Sequence, residues 1–392
     1  MFREGEQLNQ TETGEIVEQK VEDIRSEEHR FGESEGELVL NYLKGYIERR
    51  NTPPSEDDVY AFLSGKPLSG EQMGKVYEEW QGRPETVKWA EDLKRFYDER
   101  KEDGLSKITG WIHFDTAWTK RGEQEKREET KYRFYFNPKD EYVGTVFQNL
   151  IMILEGDPNL GFGIKTHSVF TGELPKGEKR IVHEEAFKAK DRIVLYVEEK
   201  SANHVLGLLR DYVENHRDWF NEDTLPFSAK IKDKTGTEKL PGISIAGEVD
   251  RESQGRNPTS FTGIQARIIQ RGLKEMADLI ENPDKHDPIK ADYLGTFSQD
   301  PEIQQWALRI QEEYKKRKSE LQGRWIDKER LIHECVVSDP QSATIFPKVF
   351  HHFYNRFASF YGIDQKNISF YSPVKKSIFL RRGKTKITKD TK

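Results

Sequence analysis

Four basic side chains and one phenol fall on short runs with the alternation of β-strands. In TKYRFYF, Lys131 and Arg133 stand at i and i+2, so a strand places both on one face. In GFGIKTH, Lys165 opens a strand-like run just after a glycine-flanked loop. In RIVLYVEE, Arg192 and Tyr196 share a face, with Lys188 and Lys190 immediately before. If these strands adjoin, one sheet face carries a cluster of cations with a phenol among them. Such a cluster suits a phosphorylated substrate, because Arg offers a fork matched to two phosphate oxygens and Lys a compact charge. A solvated sheet face carries charges by default, and spacing alone leaves both readings open.

Most other chemistry has no foothold. GxSxG, GxxxxGK[ST], HExxH and a strand-linked GxGxxG are all absent. Cys335 is the single cysteine, which excludes an internal disulfide and a CxxC zinc cluster. It reads as a small buried hydrophobe of a reducing compartment. The ten histidines lack metal-ligand spacing. His351 and His352 are neighbours on one helix and cannot face one site, so one is expected half-buried and the other exposed. His333 reads as structural. No metal and no organic cofactor is called for.

The elements that must hold the cations follow from periodicity. Residues 35–104 read as helices: GELVLNYLKGYIERR has Leu38, Leu40, Tyr42, Leu43 and Ile47 on roughly one face, and Ser55 of SEDD is an N-cap followed by acids. Trp80, Trp89, Leu93 and Phe96 anchor a longer charged region that Gly82 and Pro84 should break. From 105 to 250 strands alternate with helices: GWIHFDTAW, KYRFYFN, GFGIKTHSVF, RIVLYVEE and GISIAGEV are strands, while DEYVGTVFQNLIMIL and SANHVLGLLRDYVENHRDWF are helices. RGEQEKREET is a charged hairpin or loop. Residues 259–372 return to amphipathic helices. The expected class is α+β, a mixed or antiparallel sheet with helices packed on it and helical N- and C-terminal parts.

Length and composition bound the rest. The chain has 392 residues and formal net charge −6, with as many charged as hydrophobic residues, 34% each. Its 22 Phe, 15 Tyr and 7 Trp still supply bulk for a core. Residues 1–34 hold ten acids against four bases, and residues 374–392 hold eight bases against Asp390. Both ends are expected to stay mobile. The basic tail reads as a solubilising end rather than an RNA contact, and the mildly acidic body has no nucleic-acid footprint. No apolar run is long enough to span a bilayer, and MFREGEQLNQ lacks the apolar stretch of a signal peptide, so no membrane partner and a cytoplasmic location are expected.

A resemblance sharpens this reading. LSKITGWIHFDTAW resembles the LS-x-x-x-x-G…D-x-x-W entry segment of the HopA family, which includes type III effectors and lyase components of class V lanthipeptide biosynthesis. KYRFYFNPKDEYVGTVF, RIVLYVEEKSANHVLGLL, TLPFSAKI with PGISIAGEV, TSFTGIQARIIQRGL and FPKVFHHFYNRFASFYGIDQKNISFYSP are similar, in order, to its later segments. The resemblance spans 105–373; residues 1–104 match only in being helical. The family is similar in fold to the phosphothreonine lyases, which remove phosphate by β-elimination. The resemblance therefore implies a phosphoserine or phosphothreonine lyase acting on a peptide, as in lanthipeptide maturation, with Lys165 as the base and Tyr196 supporting it. Lys131, Arg133, Lys190, Arg192 and Arg267 would contact phosphate. A partner kinase and a precursor peptide would accompany it. The family pattern has a histidine where this chain has Arg133, and arginine is a poor proton donor. His167 and His113 are the replacement acids to weigh. An exact count puts Gln265 where an arginine belongs, and a shifted register gives Arg267. A non-catalytic effector or peptide-binding module, secreted rather than cytoplasmic, is the alternative.

Overall fold

Seven strands form one sheet: β1 (Leu105–Ile108), β2 (Trp111–Asp115), β3 (Thr130–Phe136), β4 (Phe162–His167), β5 (Ile193–Glu198), β6 (Ala229–Lys232) and β7 (Lys239–Gly247). Their order is β1-β2-β4-β5-β3-β7-β6, and every neighbouring pair is antiparallel. This computed structural model describes residues 19–65, 83–103, 105–108, 111–115, 130–167, 189–247, 260–282, 300–321 and 327–371. The class is α+β, as the sequence predicts, with the sheet antiparallel rather than mixed.

The described helices are α1 (Val21–Ser26), α2 (Glu33–Ile47), α3 (Glu56–Leu63), α4 (Pro84–Arg100), α5 (Val143–Glu155), α6 (Ala202–Asn215), α7 (Phe261–Glu281), α8 (Pro301–Glu320), α9 (Lys328–Ser338) and α10 (Ser342–Phe360). Their ends follow the local chemistry. Ser55 accepts the Asp58 N–H at 3.2 Å while the Asp58 carboxylate accepts the Ser55 N–H at 3.0 Å, a reciprocal cap on α3. Pro84 opens α4, where its missing N–H costs nothing.

Alternation along the strands divides the core in two. On one face, Phe134 and Phe136 of β3 with Ile193, Leu195 and Val197 of β5 pack under α4, α5 and α6. On the other, Tyr135, Val194 and Ala246 meet α2, α3, α7, α8, α9 and α10. Central strands covered on both sides must be apolar almost throughout. A polar side chain on such a strand therefore stands out.

Two short strands escape the periodicity reading. LSKI forms β1 and AKIK forms β6, each of four residues and each held by one neighbour. Four residues carry too little alternation to register.

The acidic N-terminal segment is partly folded, against the expectation of a mobile stretch over 1–34. Val21 and Ile24 of α1 are buried, and Phe31 stacks on Tyr354 with ring centroids 4.2 Å apart. The Asn367 side-chain amide donates to the carbonyls of Ile24 and Glu27, both at 2.9 Å. His29 and Lys366 to Ile368 exchange backbone hydrogen bonds in a parallel bridge. Charge counting overlooks three well-spaced apolar anchors among the acids. The segments 1–18 and 372–392, and with them the basic tail, lie outside the described residues, as do residues 121–129 of the charged hairpin and Trp80. Among the described residues no helix is long and apolar enough to cross a membrane.

Candidate functional site

The strands bearing the predicted cations adjoin, because β2, β4, β5 and β3 are consecutive in the sheet. Register then fixes who meets whom. His113 lies opposite Lys165, Asp115 opposite Gly163, and Trp111 opposite His167. Gly163 in turn lies opposite Tyr196, and Tyr196 opposite Arg133. By period-2 alternation these side chains share the face opposite Phe134, Leu195 and Ile164.

Two cations reach one phenol ring. The Arg133 guanidinium carbon lies 4.8 Å from the Tyr196 ring centroid, and Lys165 Nζ lies 5.7 Å from it. Lys165 Nζ lies nearer still to Trp111, 4.1 Å from its ring centroid. An ammonium on an aromatic face is attracted by the ring quadrupole, an interaction specific to the charged form. Arg133 is buried at 7% exposure, while Lys165 and Tyr196 are half-buried. The arrangement sets two cations on the same face as the Asp115 carboxylate, at the edge of a low-dielectric body where charges interact more strongly than in water.

Each ring has its own support. His167 is fully buried and lies against Trp111, with centroids 3.7 Å apart and planes inclined at 31°. That placement makes it a packing partner of the indole. His113 is half-buried beside Lys165. Burial, with the Lys165 charge in second place, holds its imidazole down at about 4, so it is neutral at neutral pH. Asp115 completes β2, and its Oδ1 passes 2.6 Å from where a Cβ on Gly163 would stand. The missing side chain of Gly163 leaves room for this close approach of a carboxylate.

Of the other predicted contacts, Arg192, Lys190 and Arg267 lie elsewhere. Lys131 is on β3, but its side chain is outside the described residues, and the β3–β5 register shifts between Thr130 and Tyr132 beside it. Arg192 precedes β5 and turns away from Tyr196. It donates to the carbonyls of Ala189 and Pro138 at 3.2 and 2.9 Å, and it pairs with Asp140. Lys190 pairs with Asp223 at 3.3 Å in the same corner. Arg267 forks onto Glu56, with Nη2 to Oε1 at 2.8 Å and Nε to both oxygens at 3.0 Å. Gln265 is buried and donates to the Ile368 carbonyl at 3.0 Å, which makes it a brace between α7 and the 363–371 segment. The i,i+2 and i,i+4 rules locate a face only where the strand continues, and Arg192 falls one residue before β5 begins.

Trp111 and Asp115 also belong to this face, although neither is a cation. Their signal was present, since Trp111, His113 and Asp115 alternate with Ile112 and Phe114. Away from this face, three histidines of the helices can be placed. His333 is fully buried with Nε2 3.3 Å from the Leu273 carbonyl, and His351 and His352 are both half-buried rather than one exposed. Among the described residues no group of three His, Cys, Asp or Glu side chains is placed to hold a metal ion.

No family model and no curated protein matches the chain. Among the solved structures that match are two remote likenesses, both titled as effector proteins. One, from Pseudomonas syringae pv. syringae strain 61, is 12% identical with a TM-score of 0.33 and covers 62% of this chain and 89% of its own. The other, from Pseudomonas syringae pv. tomato strain DC3000, is 13% identical with a TM-score of 0.34 and covers 65% and 95%. Likeness this remote carries no conclusion about activity.

Proposed function

We propose that the face built on β2, β4, β5 and β3 binds a phosphorylated serine or threonine within a peptide and eliminates the phosphate. The product is a dehydroamino acid. The observation that carries this reading is the bracketing of Tyr196 by Lys165 and Arg133 with a neutral imidazole beside them. Elimination needs cations to hold the leaving phosphate and an uncharged base near the α-carbon. Lys165 and His113 are the two groups placed to share those duties, and Arg133 supplies a second cation. A kinase would have to supply the phosphopeptide, and a precursor peptide is the substrate class that the proposal favours. The chemistry asks for no metal and no organic cofactor.

Intact-mass analysis of phosphothreonine and phosphoserine peptides tests it. The expected result is loss of one phosphoric acid and an alkene that traps thiols, absent with Lys165→Ala. Recovery of the free hydroxyl would mean hydrolysis and overturn the proposal.

A second reading is a phosphopeptide-binding module of effector type, without turnover. The aromatic contacts of Lys165 favour it, since they suit a permanent cation better than a base. Peptide retained with its phosphate intact would select this reading.

A further inference from the structure

Lys165 and His113 are a directly opposed cross-strand pair, so their side chains stand side by side on one face. Their surroundings differ. Lys165 Nζ is turned onto two aromatic faces, Trp111 at 4.1 Å and Tyr196 at 5.7 Å. Both contacts attract an ammonium and do nothing for an amine. His113 has no such contact among those described. It faces Lys165 on β4 and Ser106 on β1, with Trp111 and Asp115 flanking it on its own strand.

We infer that His113 is the group that takes the α-proton, and that Lys165 stays charged throughout as a phosphate-holding cation. The inference rests on the lyase reading above and reverses the role that the family resemblance gives to Lys165. In the step, a ring nitrogen of His113 takes the proton from the α-carbon. The electron pair of that C–H bond becomes the second bond between the α- and β-carbons. The bond from the β-carbon to the phosphate oxygen breaks, and its electron pair leaves with the phosphate. The imidazolium then passes the proton to the departing oxygen and returns to its neutral form, so phosphate leaves as the hydrogen-phosphate dianion. Lys165 and Arg133 offset the charge that builds on the oxygens.

The free protein keeps this imidazole neutral through burial and through the Lys165 charge. An arriving dianion cancels the second cause, so the ring becomes more basic at the moment a base is needed. Substrate binding and proton affinity are coupled through one pair of side chains.

Two measurements test this. The first compares elimination rates of Lys165→Arg and His113→Gln on a phosphothreonine peptide. Arginine preserves the charge and cannot act as a base. Lys165→Arg should keep the rate within about tenfold, and His113→Gln should lose about a hundredfold or more. The opposite pattern, Lys165→Arg inactive and His113→Gln active, overturns the inference. The second is calorimetry of sulfate binding at pH 5.5 in two buffers of different ionisation enthalpy. Sulfate does not titrate there, so proton uptake reports on the protein. Uptake by the unmutated protein that disappears in His113→Gln supports the inference, and a purely structural His113 would not produce it. Should both variants be inactive, the sulfate result decides, and equal uptake in both proteins overturns the assignment. An unmutated protein that eliminates nothing overturns the lyase reading itself and the inference with it.

Discussion

Asp115 lies across the backbone of Gly163, filling the space that any side chain at that position would need. A methyl group there would meet Oδ1 at 2.6 Å and the Tyr196 Cβ at 4.0 Å. The first contact is with the end of a rotatable side chain, so the strand survives and the carboxylate moves. Gly163→Ala should lower stability by about 1 kcal/mol and slow elimination by roughly tenfold through misplacement of Asp115. Thermal melting with rate measurements on one preparation would check this. An unchanged rate would show that Asp115 has no part in the site.

Arg133 contributes one of the two charges at the Tyr196 ring. Arg133→Gln keeps much of the volume and removes the charge. Phosphopeptide binding should weaken about ten- to hundredfold, corresponding to about 1.5–3 kcal/mol for a charge-assisted contact. The salt dependence of binding should become shallower by one charge. Titration calorimetry at two salt concentrations measures both.

Arg267 serves as the contrasting case. Its fork onto Glu56 ties α7 to α3. Arg267→Leu should cost about 1 kcal/mol of stability, as a partly exposed bidentate pair does. Phosphopeptide affinity should be unchanged. A loss of affinity at full stability would return Arg267 to the phosphate site.

Glu329 gives the fold a pH dependence independent of the site. Burial, aided by Asp327 and Asp278 and opposed by Lys274, pushes its carboxyl up to about 7. Its Oε1 is buried without a hydrogen-bond partner among the described residues. The folded state thus binds a proton more tightly than the unfolded chain does. The associated stability is complete below the ordinary carboxylate range, declines as pH rises from there to about 7, and is absent above it. Glu329→Gln should therefore raise the melting temperature at pH 8 by a few degrees and change little at pH 4. A comparison of melts at the two pH values would show it, and equal shifts at both would exclude the linkage.

The sheet and the charge-bearing strands are legible in the sequence because five of the seven strands run for five residues or more and are rich in β-branched and aromatic residues. The pairing of Lys165 with His113 is not, since it depends on β2 lying beside β4, and that order is a property of the whole chain. Tyr196 and Arg133 could be placed on one face by counting within each strand, and adjacency brought them together. Arg192 failed the same count because its strand starts one residue later. Arg267 failed for a different reason: a helical arginine near a possible site is indistinguishable, in sequence, from one that ties two helices together. The buried N-terminal anchors were hidden by composition, which averages over Val21, Ile24 and Phe31.

The bridge between the N-terminal segment and residues 366–369 has a consequence for how the molecule is made. His29 and Ser369 meet across 340 positions of chain. Contacts of such separation form late, because the loop they close must be ordered first. On a ribosome the apolar side chains of Val21, Ile24 and Phe31 emerge well before the partners at 366–369 do. The segment therefore docks late in folding, and the acids around its anchors favour its solvation until then.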